Sequence, residues 1–171
     1  TGSYVSAGED NILLATLSFT VDSFEESTIC LSDVIFSGSE GVNLYTEGPD
    51  CADYTPPPVE VSLGDELVDG MVQVTLNSPY SLAGFQFNVS TSPPDAIELT
   101  SASGGAAEDA GFTVSTSPST VLGFSFSGTV IDAGSYILTE LLFEGAGNAQ
   151  ICLEGIILSG PGGTDLPASD I

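Results

Sequence analysis

Apolar and polar residues alternate with a period of two along much of this chain, in short runs rich in β-branched and aromatic side chains. That spacing places every second side chain on one face of an extended segment, so each run predicts a strand. The runs fall at 59–63, 71–76, 83–89, 97–100, 112–115, 121–126, 137–143 and 151–158, and the tail 164–171 offers a ninth. In the third run Phe85, Phe87 and Val89 share one face, while Gln86 and Asn88 share the other with Ser90. Strands with one apolar and one polar face build an antiparallel β-sandwich. Gly, Pro, Ser and Asp separate the runs. The one helix-tolerant stretch, 102–110, contains Gly104 and Gly105, which predict a loop or a single turn.

The pattern of the first fifty residues returns in the last fifty. Thr1-Gly-Ser-Tyr-Val-Ser-Ala-Gly8 lies over Ser127-Gly-Thr-Val-Ile-Asp-Ala-Gly134, and Leu13-Leu-Ala-Thr-Leu-Ser-Phe19 over Ile137-Leu-Thr-Glu-Leu-Leu-Phe143. Ile29-Cys-Leu-Ser-Asp-Val-Ile-Phe-Ser-Gly38 lies over Ile151-Cys-Leu-Glu-Gly-Ile-Ile-Leu-Ser-Gly160, and the match continues through Gly41 with Gly163 and Leu44 with Leu166. The offset drifts from 126 (Thr1 to Ser127) to 122 (Ile29 to Ile151), a domain-sized period. Between the copies, Tyr54-Thr-Pro-Pro-Pro58 reads as a stiff spacer, because consecutive prolines fix φ and donate no backbone hydrogen bond. The chain is therefore expected to hold the C-terminal half of one repeat (1–54), a linker (55–58) and a nearly complete second repeat (59–171).

Three cysteines bear on that division: Cys30, Cys51 and Cys152. Cys30 and Cys152 are repeat counterparts. Cys51 follows Cys30 by 21 residues, so its own counterpart would fall near 152 + 21 = 173. A Cys30–Cys51 disulfide tying a strand to the end of its repeat is the expectation, and it implies an oxidising compartment. The alternative is three reduced cysteines buried as small hydrophobes.

Charge narrows the function. Of 171 residues 24 are Asp or Glu and none is Lys, Arg or His, giving a net charge of -24. No salt bridge between side chains can form. Phosphate neutralisation needs Lys or Arg, so nucleic acid is excluded as a direct partner, and an anionic membrane surface would repel the chain. Serine-based acyl transfer lacks a His or Lys base. Paired carboxylates could in principle hydrolyse glycosides, but no Trp, Arg or His orients a sugar or tunes an acid, and the chain reads as no enzyme. Sortase coupling and intramolecular isopeptide bonds both use lysine. With 42% hydrophobic residues the sequence is that of a folding domain. No apolar run reaches the roughly 18 residues of a membrane helix, and any targeting segment is expected outside the chain.

So many carboxylates repel one another, and either salt or a hard cation such as Ca²⁺ relieves them. Asp65, Glu66 and Asp69 sit in the Gly-bounded loop Gly64-Asp-Glu-Leu-Val-Asp-Gly70, where oxygen ligands could converge, although the spacing is not that of an EF-hand. Glu9, Asp10 and Asn11 form a second oxygen-rich loop tip, in a two-residue insertion relative to the later copy. Glu108 and Asp109 are weaker, since neighbours in an extended chain point apart. For each, a solvated turn is the plain alternative. Asn88-Val-Ser90 is an N-x-S glycosylation sequon on the outward face of a strand.

The succession Ala83-Gly-Phe-Gln-Phe-Asn-Val89, Ile97-Glu-Leu, Val121-Leu-Gly-Phe-Ser-Phe-Ser-Gly128, Ala133-Gly-Ser and Leu138-Thr-Glu-Leu-Leu-Phe143 resembles the cohesin-type jelly-roll domain of secreted bacterial proteins. The resemblance spans 59–171, and its latter half spans 1–45. It implies a nine-stranded sandwich used for non-covalent protein assembly outside the cell.

Two functions follow from these readings. The first is a non-enzymatic extracellular subunit of a filament, sheath or surface layer, self-associating into a homopolymer. A half sandwich exposes an apolar face and open edges, and strands of a neighbour could complete it, as could residues preceding Thr1. The second is a cohesin-like adhesion module on a secreted multidomain protein, binding a protein or a glycan. An aromatic row for sugar would have to come from five Tyr, because Trp is absent and nine Phe suit the core.

Overall fold

A computed structural model describes residues 16–19, 24–32, 34–37, 43–44, 51–94, 96–145 and 147–169. Strand order is β1 (Ser27–Cys30), β2 (Phe36–Ser37), β3 (Asn43–Leu44), β4 (Cys51–Tyr54), β5 (Glu60–Leu63), β6 (Met71–Ser78), β7 (Gly84–Ser92), β8 (Ile97–Ser103), then helix α1 (Gly105–Asp109), β9 (Thr113–Ser117), β10 (Thr120–Phe124), β11 (Gly134–Gly145) and β12 (Gln150–Ser159).

Residues 59–169 form two four-stranded antiparallel sheets, ordered β12-β7-β10-β9 and β5-β6-β11-β8. The period-two pattern explains the core between them. Phe85, Phe87 and Val89 of β7, Val121 of β10, Leu153 and Leu158 of β12 face Val72, Val74 and Leu76 of β6, Leu138, Leu141 and Phe143 of β11. Burying one such side chain stabilises the fold by about 1.5–3 kcal/mol before entropy is counted. Phe85 stacks on Phe87 at 5.9 Å and on Phe112 at 6.3 Å. Gly123 of β10 lies against the Phe85 ring, where a Cβ would collide with it.

The glycine pair at 104–105 marks a single helical turn, as expected. Gly105 has φ +66°, and a Cβ there would stand 2.8 Å from the backbone of Leu138, so close approach to β11 demands glycine. Glu108 folds back to accept the Gly104 N–H at 2.8 Å.

The tail differs from a regular ninth strand. It makes two isolated bridges, Ser159 with Asp165 antiparallel and Val59 with Ala168 parallel. Pro167 and Pro161 lack the N–H a ladder requires, which confines the tail to single contacts. Val59 N–H nevertheless donates to Pro167 O at 2.6 Å, and Leu166 N–H to Leu158 O at 2.9 Å, so the tail ties one sheet to the other.

Residues before the prolines form two small ladders, β1 with β4 and β2 with β3. Cys30 lies directly opposite Cys51 in the first ladder, and a disulfide joins them. Phe36 pairs with Leu44 in the second, as Leu158 meets Leu166 in the sandwich, and the sequence sets Phe36 over Leu158 and Leu44 over Leu166. Phe24 reaches across to the sandwich and meets Tyr80 edge-on at 4.5 Å.

Candidate functional site

Each sheet turns one face outward, and the two faces have different chemistry. On β5-β6-β11-β8, neighbouring strands are laced by polar side chains. Asn77 Nδ2 donates to Glu60 Oε2 at 2.9 Å, Ser135 Oγ to Asn77 Oδ1 at 2.8 Å, and Gln73 Nε2 to Glu140 Oε1 at 3.1 Å. Ser62 and Thr75 share a hydroxyl hydrogen bond of 2.7 Å. Those groups satisfy one another laterally. Met71 and Ile137 interrupt this face as exposed apolar residues.

On β12-β7-β10-β9 the register sets up transverse rows. One row reads Ser115, Leu122, Gln86, Ile157, and the next Ser117, Thr120, Asn88, Glu154. Leu122 is 38% and Ile157 55% exposed, flanking Gln86. Thr120 Oγ1 donates to Asn88 Oδ1 at 3.0 Å, and Ser90 Oγ to Glu154 Oε1 at 2.6 Å. Leu122 and Ile157, with the half-buried Phe124 continuing the row along β10, give this largely polar face an apolar centre suited to meeting a protein surface.

Ile157 points outward because of a bulge. Between Glu154 and Ile157 the pairing with β7 shifts, and Gly155 takes φ +57°. The extra residue returns Ile156 to the core side, where it packs against the cluster, and turns Ile157 away. Beyond it, a groove lined by Glu154, Ile156, Ile157, Asp165 and Leu166 separates β12 from the tail.

The predicted site residues are placed as follows. Asp69 and Gly70, at φ +53° and +81°, form a tight two-residue turn closed by paired hydrogen bonds between Val68 and Met71, the conformation that Asp-Gly favours. Asp65 and Glu66 border a shallow groove with Gln73 and Glu140, and Asp69 is not part of its lining. Among the described residues no group of three or more His, Cys, Asp or Glu side chains is placed to hold a metal ion. Glu9, Asp10 and Asn11 lie outside the described residues. Asn88 is exposed on the outward face. Cys152 is exposed with a free thiol.

Leu122 and Ile157 were not singled out from the sequence, although a signal was present. Each adjoins an inward apolar residue, in Val121-Leu122 and Ile156-Ile157-Leu158, and two successive apolar positions in an amphipathic strand put one of them outside.

No protein-family model and no curated protein matches this chain. Among solved structures, a non-cellulosomal cohesin from the hyperthermophilic archaeon Archaeoglobus fulgidus superposes with a TM-score of 0.51 at 16% identity, over 66% of this chain and 86% of its own. A chain from a cohesin–dockerin complex gives a TM-score of 0.44 at 15% identity, over 65% of this chain and 94% of its own.

Proposed function

From a cohesin-like fold as premise, we propose that this chain is a non-enzymatic protein-binding adhesion module that works outside the cell. The observation that carries the reading is the exposed pair Leu122 and Ile157 on the outward face of β12-β7-β10-β9. A single docking patch on one partner covers about 800 Å², the scale of a four-stranded face, and an apolar centre with a polar rim is its usual composition. The net charge of -24 selects basic partners and speeds their approach at low salt. The Cys30–Cys51 disulfide fits an oxidising compartment. Among the described residues no helix is long and apolar enough to cross a membrane.

The test immobilises the chain and a Leu122→Asp, Ile157→Asp double variant, and exposes both to extracellular protein from the source cells. A protein retained by the parent and lost by the variant, with both melting alike, supports the reading. Equal retention by the two contradicts it.

A second reading, a filament or sheath subunit built by strand complementation, draws on residues 16–37. Leu17 is 59% and Phe36 41% exposed, whereas their sequence counterparts Leu141 and Leu158 are 0% and 2% exposed. Strands equivalent to β5–β10 from a neighbour would cover such side chains, and repeats supplying those strands to one another would polymerise.

A further inference from the structure

The two sheets of the sandwich end in β5, β8, β12 and β9, and three of these edge strands are protected against another strand. β5 carries Glu60, and Val59 just before it bridges to Ala168 of the tail. β8 carries Glu98, and its pairing with β11 shifts at a bulge. β12 carries Glu154, the bulge at Gly155, and tail contacts at Leu158 and Ser159. Charges, bulges and covering segments are the usual means of blunting an edge. β9 has none of them. Thr113-Val-Ser-Thr-Ser117 holds no charge, glycine or proline, its register with β10 is unbroken, and all of its residues but the half-buried Val114 are exposed. Among the described residues no backbone group bonds to its outer side.

The backbone of this edge is set to pair. Ser117 and Thr120 close a two-residue turn over Pro118 and Ser119. Such a closing pair exchanges hydrogen bonds, so in the alternation of an antiparallel ladder Val114 and Thr116 turn their N–H and C=O groups to the open side. Charge says what can approach. Residues 110–131 hold no carboxylate, in a chain with 24 of them and no cationic side chain, so a second copy meets little like charge here, whereas a basic strand would gain more at the edges that carry Glu60, Glu98 or Glu154. Apolar surface lies beside the edge as well: Phe126 is 83% exposed and stands edge-on to Phe124 at 4.6 Å, and Phe124 is the register partner of Thr113.

We propose that β9 pairs antiparallel with β9 of a second copy of this chain, about a two-fold axis at Ser115. In that register Val114 and Thr116 exchange hydrogen bonds with Thr116 and Val114 of the other copy, Thr113 stands opposite Ser117, and Ser115 stands opposite itself. Outward residues meet outward residues, and Val114 stays on the core side of both sheets. The contact is isologous and closes at two copies, unlike strand exchange between repeats. It joins the two sheets into one and sets Leu122 and Ile157 of both copies on the same side, so a dimer presents the outward face twice to a multivalent partner. The pairing rests on the β9 edge alone, independently of what that face binds.

The experiment is sedimentation velocity of the disulfide-intact chain over a concentration series at low and high salt, beside site-specific crosslinking. A seam of one short strand per copy makes a weak dimer, so the expected result is a monomer–dimer equilibrium that stops at two copies and strengthens with salt, which screens the remaining carboxylates. Thr116→Pro removes an outward N–H without touching the β10 ladder and should abolish the dimer. Ser115→Glu sets two carboxylates opposite each other across the axis and should weaken association about threefold, the scale of a like-charge cross-strand pair. In a Cys152→Ser background, Ser115→Cys should oxidise to a covalent dimer and Ser117→Cys should not. The Leu122→Asp, Ile157→Asp variant should dimerise like the parent, which keeps this test separate from that of the docking face. The proposal is overturned by a monomer at every concentration and salt, by a dimer that survives Thr116→Pro, by growth beyond two copies, or by crosslinking at Ser117→Cys in place of Ser115→Cys.

Discussion

Residues 16–37 and 141–158 carry one hydrophobic pattern in two settings. In the sandwich, Leu141, Phe143, Leu153 and Leu158 are buried against a facing sheet; Leu17, Phe19, Leu31 and Phe36, their counterparts, are exposed. The difference shows that period-two alternation specifies which face of a strand is apolar but not what covers it. Residues 141–158 are held by burial. Among the described residues before the prolines, β1–β4 pairing, a disulfide and the Phe24–Tyr80 contact are interactions on view.

The sharpest way to break this contrast is to truncate equivalent leucines. Leu141→Ala should destabilise by about 2–5 kcal/mol, through lost burial and the cavity left behind, whereas Leu17→Ala should change stability by less than about 0.5 kcal/mol. Chemical denaturation of both variants checks it, and equal losses would mean that the first copy is packed after all.

Reduction of the disulfide should give the next largest effect. Closing a loop of 21 residues is worth roughly 3 kcal/mol to the folded state. Hydrogen exchange should show β1 and β4 losing protection on reduction, while β6, β7 and β11 keep theirs.

Much of the sandwich was legible because its signals are local. Phe85, Phe87 and Val89 declared the inward face of β7, and Gly104 with Gly105 declared the turn at α1. The bulge at Gly155 was not legible, since opposing two residues to one leaves no mark in a period-two count, and with it went the outward aim of Ile157. In the Gly64–Gly70 loop Asp69 occupies the turn with Gly70, while Asp65 and Glu66 border the groove beside Gln73 and Glu140. Cysteine spacing was more informative, because Cys30 and Cys51 lie on paired strands.

The smallest effect concerns the junction. Burial, with the Tyr54 phenol beside it, pushes the Tyr80 hydroxyl above its ordinary 10.0. The folded state thus favours the neutral phenol. Its contribution is complete below pH 10.0 and is lost as pH rises through the folded value. Tyr80→Phe should flatten this alkaline loss and change stability at neutral pH by no more than about 1 kcal/mol. Melting curves across alkaline pH would show it, and a steeper loss in the variant would refute it.

Hydroxyl-radical footprinting of the chain with and without a captured partner tests the account most directly, because apolar side chains on both outward faces report in one experiment. Leu122 and Ile157 should lose reactivity on binding while Met71 and Ile137 keep theirs. Protection of Met71 and Ile137 with Leu122 and Ile157 unchanged would place the partner on the opposite sheet and contradict the account.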